Sequence, residues 1–218
     1  MDQAVLVISS RKYSSWSLRG WLLARLSGLP FSTRSLDADD PAAREELLLR
    51  SASILVPRLE HAGLAVWDTL AIAEYLHELL PQAGMYPAEA AARARCRSIS
   101  GEMHAGFQAL RSSLPMNLHA LRRGFPIWSS VQADIDRITT IWRDCLSTWG
   151  GPFLFGPRPT VGDAMYAPVA TRFQTYDVQL DTACTGLRDR LLAWPDMVEW
   201  AEAAKSEPVE VPELEVEF

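Results

Sequence analysis

Cysteine is scarce in this chain, and what there is follows no pattern. Cys96, Cys145 and Cys184 are odd in number and far apart, which speaks against a disulfide framework or a cysteine metal cluster and fits a reducing cytoplasm. His61, His77, His104 and His119 show no metal-ligand spacing, so the sequence makes no case for a metal. Long apolar runs are also missing. Nothing approaches the ~20 residues of a membrane span, and Met1-Asp2-Gln3 leads into a strand-length apolar stretch without the basic leader of a secretory signal. Positive charge is the minority sign: 21 Lys and Arg against 27 Asp and Glu give a formal net charge of −6. General nucleic-acid binding, which needs a basic face, is therefore disfavoured. What remains, 48% hydrophobic and 22% charged over 218 residues, is the composition of a soluble, cytoplasmic globular protein. It suffices for one large domain or two small ones.

The first third of the chain alternates between two periods. Ala4-Val5-Leu6-Val7-Ile8 is a strand-length apolar run, and a helix is expected from Trp16 to Leu26. Phe31 to Leu36 reads as a short strand, and Asp39-Asp40-Pro41 as the start of a helix reaching Arg50. Val56 to Glu60 and Leu64 to Trp67 flank His61-Ala62-Gly63, a connection suited to a hairpin. From Thr69 the spacing becomes helical until Pro81. A helix-linked parallel pair followed by an antiparallel hairpin makes an α/β thioredoxin-like N-terminal domain, residues 1–81, around a mixed four-stranded sheet. A linker at 82–87 separates it from an all-α C-terminal domain, 88–218. Helices are expected there over Ala88 to Leu114, Val131 to Trp149, Val161 to Thr175 and Pro195 to Ala204, with an acidic tail from Ser206.

Three places carry chemistry. Ser14, Ser15 and Ser17 stand where the first strand gives way to a helix. Serines there cap unpaired N–H groups, and capping alone accounts for them. The same helix start also favours anions and thiolates. Arg11, Lys12 and Arg19 flank the cluster and supply a local cationic pocket in an acidic protein. Val56-Pro57 either marks an edge strand or forms a cis turn that offers the main chain of Val56 to a peptide-like ligand. Asp68-Thr69 caps the next helix, or holds an amino-acid head group by its N–H groups and carboxylate. Farther on, Met103, Phe107 and Leu110 share a helix face that Met116 continues, with His104 and Arg111 beside it. That face is either interdomain core or the wall of an adaptable apolar pocket.

In this order, and with Thr160-Val161-Gly162-Asp163 as a helix-start capping box, the chain resembles the cytosolic glutathione S-transferase family over nearly its whole length. Tyr13-Ser14-Ser15-Trp16-Ser17-Leu18-Arg19 is similar to the motif of the serine-type classes, zeta-like bacterial members included. The resemblance implies glutathione as co-substrate, with Ser14, or Ser15 beside it, donating to the thiolate. Val56 on a cis-Pro57 turn would pair with the cysteinyl backbone, and Asp68 and Thr69 would hold the γ-glutamyl end. Trp16, Met103, His104, Phe107, Arg111 and Met116 would face the electrophile. Two departures stand out. Ile54-Leu55 replace a Gly and polar residue that many members carry before Val-Pro, which leaves the glycyl carboxylate to Arg11 or Lys12. Trp16 stands where the zeta-like motif has Cys, which disfavours glutaredoxin-like exchange.

The implied activity is conjugation of glutathione to a small electrophile, in a detoxifying homodimer. A glutathione-dependent cis–trans isomerase of an unsaturated diacid is the enzyme-level alternative. A non-catalytic binding or regulatory module of the same fold is the other alternative, and the Ile54-Leu55 departure is what favours it.

Overall fold

A central strand buried on both faces has to be apolar throughout, and β1 (Ala4–Ile8) is. In the computed structural model, which describes residues 4–36 and 56–207, β1 lies between β2 (Phe31–Ser35) and β3 (Arg58–His61), with β4 (Leu64–Trp67) outermost. The helix expected at 41–50, the Ile54-Leu55 pair and the tail beyond 207 lie outside the described residues. β2 runs parallel to β1 with Leu6 opposite Thr33, whereas β3 is antiparallel with Leu6 opposite Leu59. The sheet is therefore mixed, as the order of helix-linked pair and hairpin implies. In the hairpin, Ala62 and Gly63 both adopt positive φ, 50° and 76°. Two such residues give the turn twist that matches the flanking strands.

The parallel crossover is α1 (Ser15–Ser27), capped by Ser14 and closed by Gly28 in the left-handed region. Gly20, midway along it, admits a close neighbour: a Cβ there would lie 2.3 Å from the Cβ of Pro57. The Val56–Pro57 peptide is cis and immediately precedes β3. The edge-strand reading of Pro57 does not hold, because β3 is flanked on both sides by β1 and β4. Pro57 lacks an N–H at a point where the ladder has not begun. Helix α2 (Thr69–Leu79) follows β4 under an Asp68 cap, and a short 3-10 turn at Pro81–Ala83 ends this half of the molecule.

Beyond Ala83 the described chain is helical: α3 (Ala90–Ala105), α4 (Gln108–Ser113), α5 (Ser129–Trp149), α6 (Val161–Thr175), α7 (Thr182–Leu192) and α8 (Pro195–Lys205). The single helix expected over 88–114 is in fact two. Gly106 is extended and Phe107 left-handed at φ 60°, and a Cβ on Gly106 would meet the Glu102 carbonyl oxygen at 2.8 Å. Helix α7 has no counterpart in the sequence reading; Asp181 caps it by accepting the Cys184 N–H at 2.9 Å. Apart from Gln174, every residue of α6 is buried, so this helix is the post around which the others pack. Its start is fixed by Asp163, whose carboxylate accepts from Leu154 N–H, Thr160 N–H and the Thr160 hydroxyl at 2.8–2.9 Å.

Candidate functional site

The turn between β1 and α1 brings three serines into different roles. Ser17 Oγ accepts the Ser9 N–H at 3.0 Å and is wholly buried, a packing role. Ser14 Oγ accepts the Ser17 N–H at 3.2 Å and so caps α1. Capping uses a lone pair of the hydroxyl oxygen, whereas stabilising an anion uses its proton; one serine can do both. Ser15 Oγ accepts from Arg19 Nη1 at 3.3 Å.

Arg19 leads to an arrangement the sequence did not disclose. Its Nε donates to the Met165 carbonyl of α6 at 2.8 Å. Arg111 of α4 donates to the carbonyls of Met103 and His104. Arg172 of α6 donates to Leu114 O at 2.5 Å and more weakly to Arg111 O. All three are at most 5% exposed, and their guanidinium donors end on carbonyls and a hydroxyl rather than on carboxylates. Arg111 Nε is buried without a hydrogen-bond partner among the described residues. Burial, reinforced by the charges of Arg111 and Arg172, pushes Arg19 well below the ordinary arginine range. Burial brings Arg111 down to about 10, and burial with the charge of Arg111 brings Arg172 down to about 9. All three remain cationic at neutral pH. Buried guanidinium groups held this close favour an anion beside them.

Trp16 sits inside this cluster. Its ring lies 4.8 Å from the Arg19 guanidinium carbon and 4.6 Å from that of Arg111, with the His104 ring edge-on at 5.1 Å. His104 in turn reaches the start of α2: Nε2 is 3.0 Å from the Asp68 carboxylate, and Nδ1 is 3.4 Å from Thr69 Oγ1. Asp68, at φ 75°, also accepts the Leu70 and Ala71 N–H groups. Burial raises its carboxyl, but the His104 bond and charge with those N–H groups outweigh it and hold it below the ordinary carboxylate range.

The structure thus links Ser15, Trp16, Asp68, Thr69, His104 and Arg111 in one run of contacts, adds Arg19 and Arg172, and leaves Ser14 beside Ser15 at the head of α1. His104 is joined to the Asp68-Thr69 pair. Met103, Phe107 and Met116 belong to the buried core. Val56 is buried beside Pro57, which packs on α1 at Gly20. The Arg11 side chain donates to Thr33 Oγ1 at 3.1 Å and lies over Trp200, and the Lys12 ammonium lies over the Tyr13 ring. A cue to Arg172 was present in the sequence, since it is the one cation in a helix made mostly of apolar and small residues. Among the described residues no three His, Cys, Asp or Glu side chains gather as a metal site, and no helix is long and apolar enough to cross a membrane. Burial pushes the thiols of Cys96, Cys145 and Cys184 up to about 12, 11 and 12. None is poised as a nucleophile.

Residues 13–79 match the family model of the glutathione S-transferase N-terminal domain, and residues 88–203 that of its C-terminal domain. The chain is 23% identical over 180 residues to a Caenorhabditis elegans protein named "Probable maleylacetoacetate isomerase", covering 82% of this chain and 83% of that one. A glutathione transferase homologue from Burkholderia gl BGR1, solved with bound glutathione, is similar in structure at a TM-score of 0.71 and 19% identity, over 94% of this chain and all of that one. Maleylacetoacetate isomerase from Anaeromyxobacter dehalogenans, solved with glutathione in its active site, superimposes at 0.63 and 23% identity, over 94% and 97% of the two chains. At these identities the structural likeness speaks to the fold.

Proposed function

Because the chain belongs to the glutathione S-transferase family, we propose that it binds glutathione and adds the peptide's sulfur to a small electrophile. The observation that carries this reading is the buried Ser14 hydroxyl at the N-cap of α1, next in the chain to Ser15, which Arg19 of the cationic cluster engages. A hydroxyl proton and a helix N-terminus both favour thiolate over thiol, and nearby guanidinium charge adds to them. Ser14 holds the sulfur, and Ser15, engaged by Arg19, supports the turn. The main chain of Val56 pairs with the cysteinyl unit. Asp68 and Thr69 hold the γ-glutamyl end, with His104 orienting the Asp68 carboxylate. Proximity of a preformed thiolate to the electrophile then supplies the rate. Calorimetric titration with glutathione should give a dissociation constant below about 1 mM. No heat of binding at millimolar glutathione would sink the reading and leave a non-catalytic module.

One observation favours a second reading, the glutathione-dependent isomerisation of an unsaturated diacid. Among the described residues, the guanidinium hydrogen bonds of Arg19, Arg111 and Arg172 end on carbonyls and a hydroxyl with no carboxylate in contact, and a carboxylate on the electrophile would supply one. Replacement Arg111→Ala should lower kcat/KM for an unsaturated diacid by about tenfold or more, the worth of one charge-assisted hydrogen bond. A neutral electrophile should be affected much less. Equal losses with both would assign Arg111 to the fold alone.

The same reading extends to the assembly. The division near residues 82–87 makes two domains, and exposed Leu64 and Trp67 on β4 suit the face of a homodimer. Three buried free thiols fit a reducing cytoplasm.

A further inference from the structure

The turn that presents Ser14 is held from the far end of the described chain. Ser10, Arg11 and Lys12 converge on one carboxylate, that of Glu207, two residues past the end of α8. Glu207 Oε1 accepts the Arg11 N–H at 2.9 Å, while Oε2 accepts the Lys12 N–H at 3.0 Å and the Ser10 hydroxyl at 2.7 Å. Successive N–H groups on a turn make an anion-binding hollow, and here the chain's own acid occupies it. Ser10 passes the constraint on. Its Oγ accepts the Lys12 and Tyr13 N–H groups at 3.1 and 3.2 Å, and its carbonyl accepts the Ser14 N–H at 3.0 Å. Helix α8 adds a second anchor, with Trp200 Nε1 donating to the Arg11 carbonyl at 3.0 Å.

We infer that Glu207 is a positioning residue for the Ser14 hydroxyl, tying the C-terminal segment to the turn that carries it. The inference rests on the sulfur-holding role proposed for Ser14. Without the carboxylate, the Arg11 N–H loses its acceptor, the Lys12 N–H is left to Ser10 Oγ, and the Ser10 hydroxyl is released to rotate. The turn that ends at the Ser14 N–H then loosens, and the Ser14 hydroxyl holds donor geometry less well.

The sign of the effect separates positioning from simple charge. A carboxylate near a thiolate disfavours it, so removing one would make the bound thiol more acidic. Loss of positioning makes the thiol less acidic. The other charges around the site, on Asp68, Arg19, Arg111 and Arg172, and those of the Arg11 and Lys12 side chains beside Glu207, are the same in variant and wild type.

The test follows ionisation of enzyme-bound glutathione by ultraviolet thiolate absorbance, after calorimetry has established that the wild type binds the peptide. In Glu207→Ala the ionisation should move alkaline by about one pH unit, a tenfold change in the ionisation constant. The rate kcat at neutral pH should fall to match, with KM for the electrophile unchanged. Glu207→Gln should be intermediate; being isosteric, it carries the same test if the alanine variant does not fold. Adding Ser10→Ala to Glu207→Ala should change little further, because both act through one path. An acid shift would make Glu207 a neighbouring charge and nothing more, and an unchanged ionisation would likewise overturn the inference. If the wild type takes up no glutathione, the proposed function fails first and this inference with it. If it binds and the variant ionises normally, only this inference fails.

Discussion

Ser14→Ala should lower kcat/KM for conjugation by about a hundredfold or more, the usual effect of deleting one donor aimed at a reacting anion. The ionisation of bound glutathione should move alkaline by roughly one to two units, since a hydrogen bond to a charged group contributes about 1.5–3 kcal/mol. Ser14 also caps α1, so alanine should cost about 1 kcal/mol of stability as well. Ser14→Gly separates the two roles. Glycine is tolerated at an N-cap within a few tenths of a kcal/mol, yet it has no hydroxyl, so activity should fall as in the alanine variant while the urea midpoint hardly moves. A Ser14→Gly protein with full activity would pass the sulfur to Ser15 or to the backbone.

Asp163→Ala should have the largest effect on stability. The carboxylate is fully buried and takes three hydrogen bonds, two from main-chain N–H groups. Removing it strands those donors away from water, at about 1–3 kcal/mol each, so a loss of roughly 4 kcal/mol is expected. For a chain of this size that lowers the thermal midpoint by about 8–16 °C. Asp163→Asn keeps one acceptor oxygen and should lose about half as much. The two variants also predict a pH dependence. Burial raises the Asp163 pKa from 3.8 to about 6, so the folded state holds this proton more tightly than the unfolded chain. The stabilisation is fully present below the unfolded value and is lost as pH rises through the folded one. The advantage of the wild type over Asp163→Asn should therefore be larger at pH 4 than at pH 7, as measured by urea unfolding at the two values. A constant difference would show that Asp163 is ionised throughout that range.

Much of this was legible in the chain, for a physical reason. β1, α1, β2, the hairpin, α2 and α6 are specified by neighbours in sequence: an apolar run, a cap, two turn residues with positive φ, a capping box. Local rules sufficed for them. The break at Gly106-Phe107 was missed because the amphipathic spacing continues across it, and only the approach of Glu102 O makes a glycine necessary. Helix α7 was missed because its buried positions are few, Cys184, Leu187 and Leu191, and Gly186 interrupts the run between them. At the site, Ser14 and Asp68-Thr69 announce themselves through local capping. The cluster of Arg19, Arg111 and Arg172 does not, since it forms only when α1, α4 and α6 meet. Glu207 on Arg11 and Lys12 is the same kind of fact: a pairing of chain ends that no periodicity encodes.

Arg19 has a consequence for how such a chain can be inherited. It grows from the crossover helix of the sheet half, yet its Nε is satisfied by the Met165 carbonyl of the helical half, and its ring neighbour Trp16 is shared with Arg111. The cationic cluster is thus a seam, owned by neither half. Recombination that joined this sheet half to the helical half of a distant relative would keep two folded parts and lose the surface between them, so the two halves have to evolve as one unit.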